Sequence, residues 1–107
     1  MDRLAIYETS SGGSPAFLTL TLFGELDVMN VGQLSDAVVR ELKAGHRHLL
    51  LDLNEITYCD NGSLFTLLGM RHAAGHAGGS LALTSASKSV HEALDRSGLR
   101  DLLPFTR

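Results

Sequence analysis

The stretch from Cys59 to Ser63 carries the residue types best suited to a functional site in this sequence. Asp60 precedes a segment of helical spacing, so its carboxylate is placed to cap the backbone N–H groups that a helix start leaves unpaired. A helix start also carries roughly half a positive charge, so any negative group added there has a strong local effect. Asn61, Gly62 and Ser63 then supply an amide, an accessible backbone and a hydroxyl. The sequence therefore predicts that this helix start is the functional site.

Catalytic, cofactor and metal chemistry find little support in the sequence. No nucleophile–base pair can be assembled from its motifs, and no phosphate-binding glycine loop is present, so we expect a protein that is not an enzyme and uses no cofactor. His72 and His76 have the i, i+4 spacing of zinc ligands, but they lack an accompanying Glu and a third ligand. We expect them on a solvated helix face, and no metal site. Cys59 has no cationic neighbour within three positions and is predicted to be a small buried hydrophobe.

Composition limits the class of protein further. The chain has 107 residues with a net charge of −3, no Trp and a single Cys. That length predicts one domain spanning residues 1–107. The missing basic excess argues against nucleic-acid binding, and no apolar run is long enough to span a bilayer. The N-terminus is too short and too charged for a signal peptide, and one unpaired cysteine fits a reducing compartment, so the cytoplasm is expected.

Hydrophobic periodicity predicts the elements that position this site. Strands are expected at residues 4–9, 17–23, 49–53 and 81–84, and helices from after Asp27 to Lys43, over residues 63–77 and after Ser87 or Ser89. Asp27 is the predicted N-cap of the first helix, and Gly45 and Gly98 are predicted helix ends. The apolar run at residues 49–53 predicts a strand covered on both faces. The order β-β-α-β-α-β-α predicts an α/β fold, a mixed central sheet with helices packed against it.

In such sheets, binding sites lie in the loops after the carboxyl ends of the strands. Two predicted loops meet that condition, at residues 24–27 and 54–63. These two loops are therefore the candidate binding site. The predicted contact residues are Glu25, Asp27, Met29, Asn30, Asp60, Asn61, Gly62, Ser63 and Thr66.

Three motifs in this order resemble those of the STAS domain family, and most closely the bacterial anti-sigma factor antagonists. In chain order they are the segment 24–27 (GELD), the segment 51–64 (LDLNEITYCDNGSL), and the ending Ser97-Gly98-Leu99 with Leu102-Leu103-Pro104. The resemblance implies a STAS-like fold and a small non-enzymatic switch in transcription regulation. In that family the unphosphorylated form binds an anti-sigma factor, often a GHKL-type serine kinase, and so frees a sigma factor. Phosphorylation of the serine just after the motif aspartate ends that binding.

This sequence departs from the family at the phosphoacceptor. Asn61 occupies the acceptor position, and the usual glycine falls on Ser63. An amide has no hydroxyl to phosphorylate. Asn61 therefore either locks the protein in a binding-competent form or leaves Ser63 as the acceptor candidate. We favour the first hypothesis, because a residue already inside the helix presents its backbone poorly to a kinase cleft.

A protein partner is expected to dock on both loops together, with Asp60 and Asn61 at the centre of the docking face and Ser63, Thr66 and Gly69 along its rim. The rival hypothesis for the same fold is an accessory subunit of a lipid or small-molecule transporter, or a ligand-sensing module, which predicts a closed pocket. The sequence is compatible with a homodimer as well as a monomer.

Overall fold

Four strands and three helices alternate along the chain in the predicted order. The computed structural model describes residues 3–106. The elements are β1 (Leu4–Ser10), β2 (Phe17–Leu26), α1 (Val31–Lys43), β3 (His48–Cys59), α2 (Asn61–His76), β4 (Ser80–Ala86), α3 (Lys88–Ser97) and a short 3₁₀ turn (Arg100–Leu102).

The strands form one mixed sheet in the order β1-β2-β3-β4. β1 pairs with β2 antiparallel, and β2, β3 and β4 run parallel. The parallel strands are connected through α1 and α2, as a parallel pair requires a crossover. The predicted α/β class and the mixed sheet are confirmed.

Helices cover one face of the sheet. Leu49, Leu51 and Leu53 of β3 are fully buried, whereas Leu50 and Asp52, which point to the other face, are only half-buried. The same alternation runs along β2 and β4. The prediction that this strand is covered on both faces is therefore wrong, because an uninterrupted apolar run does not distinguish a half-buried strand from a fully buried one.

Helix α2 is the longest helix, with 16 residues, and it packs against β4 and both other helices. Leu64, Leu67 and Ala74 are completely buried on its inner side. None of the helices within residues 3–106 has the length and apolar character that crossing a membrane requires.

Three boundaries differ from the sequence predictions. β3 continues to Cys59, so the predicted loop over residues 54–63 shrinks to Asp60 alone. α2 begins at Asn61, two positions earlier than predicted. α1 begins at Val31 with Asn30 at the N-cap position, so the prediction that Asp27 is the N-cap is wrong. Asp27 instead stabilises the turn that precedes the helix.

Candidate functional site

The register between β2 and β3 places two turns side by side. Leu26 and Cys59, the last residues of these parallel strands, are direct partners in the ladder. The backbone N–H of Asp60 continues the pairing by donating to the carbonyl of Leu26 at 3.3 Å. The turn after β2 and the start of α2 therefore meet at one edge of the sheet, as the predicted topology required.

Asp60 holds the two turns together. It caps α2, because its Oδ1 accepts a hydrogen bond from the Ser63 N–H at 2.8 Å. Its Oδ2 accepts from the N–H of Val28 at 3.0 Å, in the turn after β2. The predicted capping role is confirmed, and the carboxylate has the additional task of fixing the neighbouring turn.

The turn from Glu25 to Asn30 is ordered by its own polar side chains. Oδ1 of Asp27 accepts from the N–H groups of Met29 and Asn30 at 2.9 and 3.1 Å. The buried Asn30 amide donates to the carbonyl of Glu25 at 2.8 Å and accepts from the N–H of Asp27 at 3.0 Å. Asn30 is therefore buried, and its side chain stabilises the turn through these two hydrogen bonds.

Arg3 binds both acidic side chains of this turn. Its guanidinium contacts the carboxylate of Asp27 and that of Glu25, the latter at 3.1 Å. The hydrogen bond from Arg3 is the largest of the causes that lower the pKa of the Asp27 carboxyl. Both acids are thus engaged within the chain, and the turn presents less free negative charge than its sequence suggests.

Asn61 is held by a side chain from a different helix. Nε of Arg96 in α3 donates to Oδ1 of Asn61 at 3.0 Å, and Nη2 of Arg96 donates to the carbonyl of Cys59 at 3.3 Å. Arginine has only donors, so the amide oxygen must face it and the NH₂ group of Asn61 must point away. That NH₂ group makes no hydrogen bond to any residue within 3–106 and is available at the surface.

Ser63 lies inside the protein and not on the rim. Its side chain is fully buried, and its Oγ donates to the carbonyl of Asp60 at 2.9 Å. Cys59 is buried beside it, with the sulfur 3.5 Å from that Oγ, as predicted for a small hydrophobe. Burial raises the pKa of the Cys59 thiol. The expectation that Ser63 lies along the exposed rim is therefore wrong, because α2 starts earlier than predicted and turns this residue inward.

Gly62 makes room for the neighbouring turn. A Cβ on Gly62 would lie 2.4 Å from Cγ1 of Val28, so only glycine lets that side chain rest against the start of α2. One turn later, the hydroxyl of Thr66 donates to the carbonyl of Gly62 at 3.3 Å. The close approach of Val28 to Gly62 joins the two turns into one continuous surface.

Exposed apolar side chains lie on the turn after β2 and on α2, the helix that begins at Asn61. Val28 and Met29 are 59% and 83% exposed, and Phe65, one helical turn after Asn61, is 55% exposed. We call the patch formed by Val28, Met29, Asn61, Gly62, Phe65 and Thr66 the Asn61 surface. Large apolar groups exposed in a cluster are typical of protein-binding sites.

The predicted site residues divide into exposed and supporting groups. Met29, Asn61, Gly62 and Thr66 belong to the Asn61 surface, while Glu25, Asp27, Asn30, Asp60 and Ser63 order the backbone beneath or beside it. Val28, Phe65 and Arg96 were not predicted from the sequence. Val28 and Phe65 were recognisable as apolar residues off the buried stripe of their segments, but nothing local points to Arg96.

The fold is that of a known domain class. The sequence matches the family model described as "Mlab, STAS domain" over residues 11–104. The chain belongs to the STAS domain family. A curated relative, an anti-sigma F factor antagonist from Paenibacillus polymyxa, is 31% identical over 92 residues, covering 82% of this chain and 76% of the relative.

Solved structures of lower identity share the fold. An anti-sigma factor antagonist from Mycobacterium paratuberculosis superposes with a TM-score of 0.78 at 16% identity, over 95% of this chain and 84% of that one. The Bacillus cell fate determinant SpoIIAA, in its phosphorylated form, gives a TM-score of 0.67 at 17% identity, over 96% and 92% of the two chains.

Proposed function

We propose that this chain is an anti-sigma factor antagonist, which binds an anti-sigma factor through the Asn61 surface and thereby releases a sigma factor for transcription. The Paenibacillus polymyxa relative carries that name, and the chain matches most of its length. The role is one of binding and not of turnover, and it is exercised in the cytoplasm, where sigma factors act.

The observation that carries the proposal is the Asn61 amide at the start of α2, on the same surface as exposed apolar side chains. Arg96 occupies the amide oxygen at 3.0 Å, so the surface offers an uncharged donor. Val28, Met29 and Phe65 offer apolar area on the same surface. A fitting partner therefore brings a hydrogen-bond acceptor flanked by apolar side chains, and burial of this centre supplies most of the affinity.

The surface is binding-competent at all times under this proposal. A phosphate would bring a charge of about −1.5 to −2 to the centre of the contact, where it would have to be desolvated. Asn61 has no hydroxyl to accept that group, and the hydroxyl of Ser63 is buried and engaged with the carbonyl of Asp60. A kinase would reach Ser63 only after the first turn of α2 unfolded.

We extend the proposal to the type of anti-sigma factor. SpoIIAA, which shares this fold, has been solved in a phosphorylated form. A partner that also acts as a GHKL-type serine kinase on related antagonists would bind this chain without modifying it. The complex would persist until the partner was displaced, because the partner could not end the binding by phosphorylating this chain.

Affinity capture from a lysate of the source organism tests the function. Wild type and Asn61→Glu serve as paired baits, and Asn54→Glu, an exposed asparagine on β3, serves as the matched control. We expect wild type and Asn54→Glu to retain an anti-sigma factor of the serine-kinase type and Asn61→Glu to lose it. Recovery of a transporter ATPase instead would support the rival function. Light scattering of the purified complex would show whether the chain binds its partner as a monomer or as a homodimer.

A further inference from the structure

The second half of α2 and the start of β4 frame an open groove at the end of the molecule away from Asn61. Its volume is about 640 Å³, within the range of roughly 300–1,000 Å³ that small-molecule sites occupy. The residues that give the groove its chemistry are Arg71, His72, His76, Ser80, Leu81 and Pro104.

Glycines create the space. Gly75 follows Arg71 by one helical turn and lies on the same face of α2, so the groove is empty where a side chain would normally project. A Cβ on Gly79 would lie 1.9 Å from the carbonyl oxygen of Arg47, so the chain passes there at a distance that only glycine permits. Gly75 and Gly79 therefore determine the shape of the groove.

The groove is cationic in a chain that is acidic overall. Arg71, His72 and His76 line it, and no Asp or Glu within residues 3–106 does, although the net charge of the protein is −3. The N–H groups of Ala77 and Gly79 bond to the carbonyls of Ala73 and Ala74 at the end of α2, at 3.1 and 2.8 Å. The negative end of the helix dipole remains, so the charge of Arg71 must outweigh it for an anion to bind.

Arg71 has no partner for its guanidinium. Within residues 3–106 it is the one arginine that makes neither an ion pair nor a hydrogen bond, although its side chain is half-buried. The others are engaged with acids, carbonyls, an amide or a ring nitrogen: Arg3, Arg40, Arg47, Arg96 and Arg100. Its guanidinium donors are therefore open to solvent, and an anion in the groove would supply an acceptor for them.

We propose that this groove binds a phosphate monoester that carries a small apolar body. The phosphate pairs with the Arg71 guanidinium, whose planar fork suits phosphate oxygens, and the two histidines complete its surroundings. The Ser80 hydroxyl is engaged with Nδ1 of His48 at 2.9 Å and is not needed for this contact. The apolar body rests on Leu81 and Pro104. Arg71 lies about 15 Å along α2 from Asn61, so the ligand and a protein partner bind at the same time.

Titration of the ¹⁵N-labelled chain with phenyl phosphate tests the proposal for a soluble ligand. We expect saturable amide shifts confined to Gly75, Gly79, Ser80 and Ala82. Arg71→Gln should weaken binding by about tenfold or more, because it removes a charge-assisted hydrogen-bond pair. Arg40→Gln is the matched control, since Arg40 lies on α1 with 64% of its side chain exposed and does not line the groove.

Co-sedimentation with phosphatidylcholine vesicles containing phosphatidic acid tests a lipid headgroup as the source of the same chemistry. Binding in either experiment that is lost in Arg71→Gln and kept in Arg40→Gln supports the proposal and identifies the source. Absence of saturable binding in both experiments overturns it. So does an equal loss in the two variants, which would indicate a general response to charge.

Discussion

The carboxylate of Asp60 accepts a hydrogen bond from the backbone N–H of Val28, 32 positions earlier in the chain, at 3.0 Å. Its other oxygen caps α2 through Ser63 at 2.8 Å. One side chain therefore sets the position of the turn after β2 relative to the helix that follows β3. The surface on which we place the partner depends on that relationship.

Replacement of Asp60 should weaken both the fold and the site. Asp60→Ala removes two hydrogen bonds to backbone N–H groups, so we expect the free energy of unfolding to fall by about 1–2 kcal/mol. Asp60→Asn should cost less, since its amide oxygen still accepts one of the two bonds. Urea denaturation measures the difference, with Asp36→Ala, an exposed residue on α1, as the control. Equal stability of Asp60→Ala and Asp36→Ala would rule out the bridging role.

A methyl group on Gly62 should disturb the surface without unfolding the protein. The added Cβ would lie 2.4 Å from Cγ1 of Val28, which must rotate away from the helix start. We expect affinity for the captured partner to fall several-fold, while alanine's higher helix propensity preserves stability. Gly75→Ala is the matched control, because it lies at the far end of the same helix and no atom of residues 3–106 lies within 4 Å of its Cβ. Calorimetry that finds equal affinities for the two variants would argue against the contact.

Removal of the Val28 side chain should rescue the Gly62 variant. In the double variant Gly62→Ala/Val28→Ala the clash is absent, so the loss of affinity should be smaller than the two single losses added together. Additive losses would show that the two positions act independently.

Neither Asn61 nor Ser63 should accept phosphate. After incubation with a serine-kinase anti-sigma factor and ATP, the intact mass of the wild-type chain should remain unchanged, because Ser63 is fully buried. Asn61→Ser, which restores a hydroxyl at the exposed position, is the positive control and should gain one phosphate. A phosphate mapped to Ser63 in the wild type would defeat the proposal of a permanently open surface.

Acid should weaken the turn after β2. The hydrogen bond from Arg3 lowers the pKa of Asp27 in the folded chain, so its contribution to stability is present above the ordinary carboxyl pKa of about 3.9. It is lost as the pH falls through the lower, folded value. The Asp27→Asn variant should therefore lose less stability in acid than the wild type does. Thermal unfolding measured from pH 7 downward tests this.

The Asp27→Asn variant should still lose some stability in acid, because Arg100 lowers the pKa of Asp95 in the same way. Asp36→Asn, which lacks such a partner, is the control and should follow the wild-type curve. A curve for Asp27→Asn that also coincides with wild type would show that the pairing with Arg3 does not contribute.

Periodicity and glycine placement were sufficient to predict the fold. Helices α1 and α3 end where expected, with Gly45 and Gly98 at positive φ of 103° and 75°. The extent of β3 was missed because the pairing of β2 with β3 contains register shifts. Beyond Leu53 its buried residues are three positions apart, at Ile56 and Cys59, so the alternation that identifies a strand disappears.

The site was predictable only where its contacts are local. The cap formed by Asp60 on Ser63 follows from their spacing of three. The hydrogen bond from Arg96 to Asn61 joins residues 35 positions apart, and no pattern near either residue indicates it. The same is true of the contact between Val28 and Gly62, which depends on how two strands align.

Calorimetric titration of the captured anti-sigma factor with Asn61→Asp tests the central claim most directly. The substitution removes the exposed NH₂ donor and places a carboxylate beside Arg96, so we expect affinity to fall by about tenfold or more, and further in Asn61→Asp/Arg96→Gln, where nothing offsets the new charge. Asn54→Asp, the same change elsewhere, should bind as wild type. If Asn61→Asp binds as tightly as Asn54→Asp, the partner does not dock on the Asn61 surface.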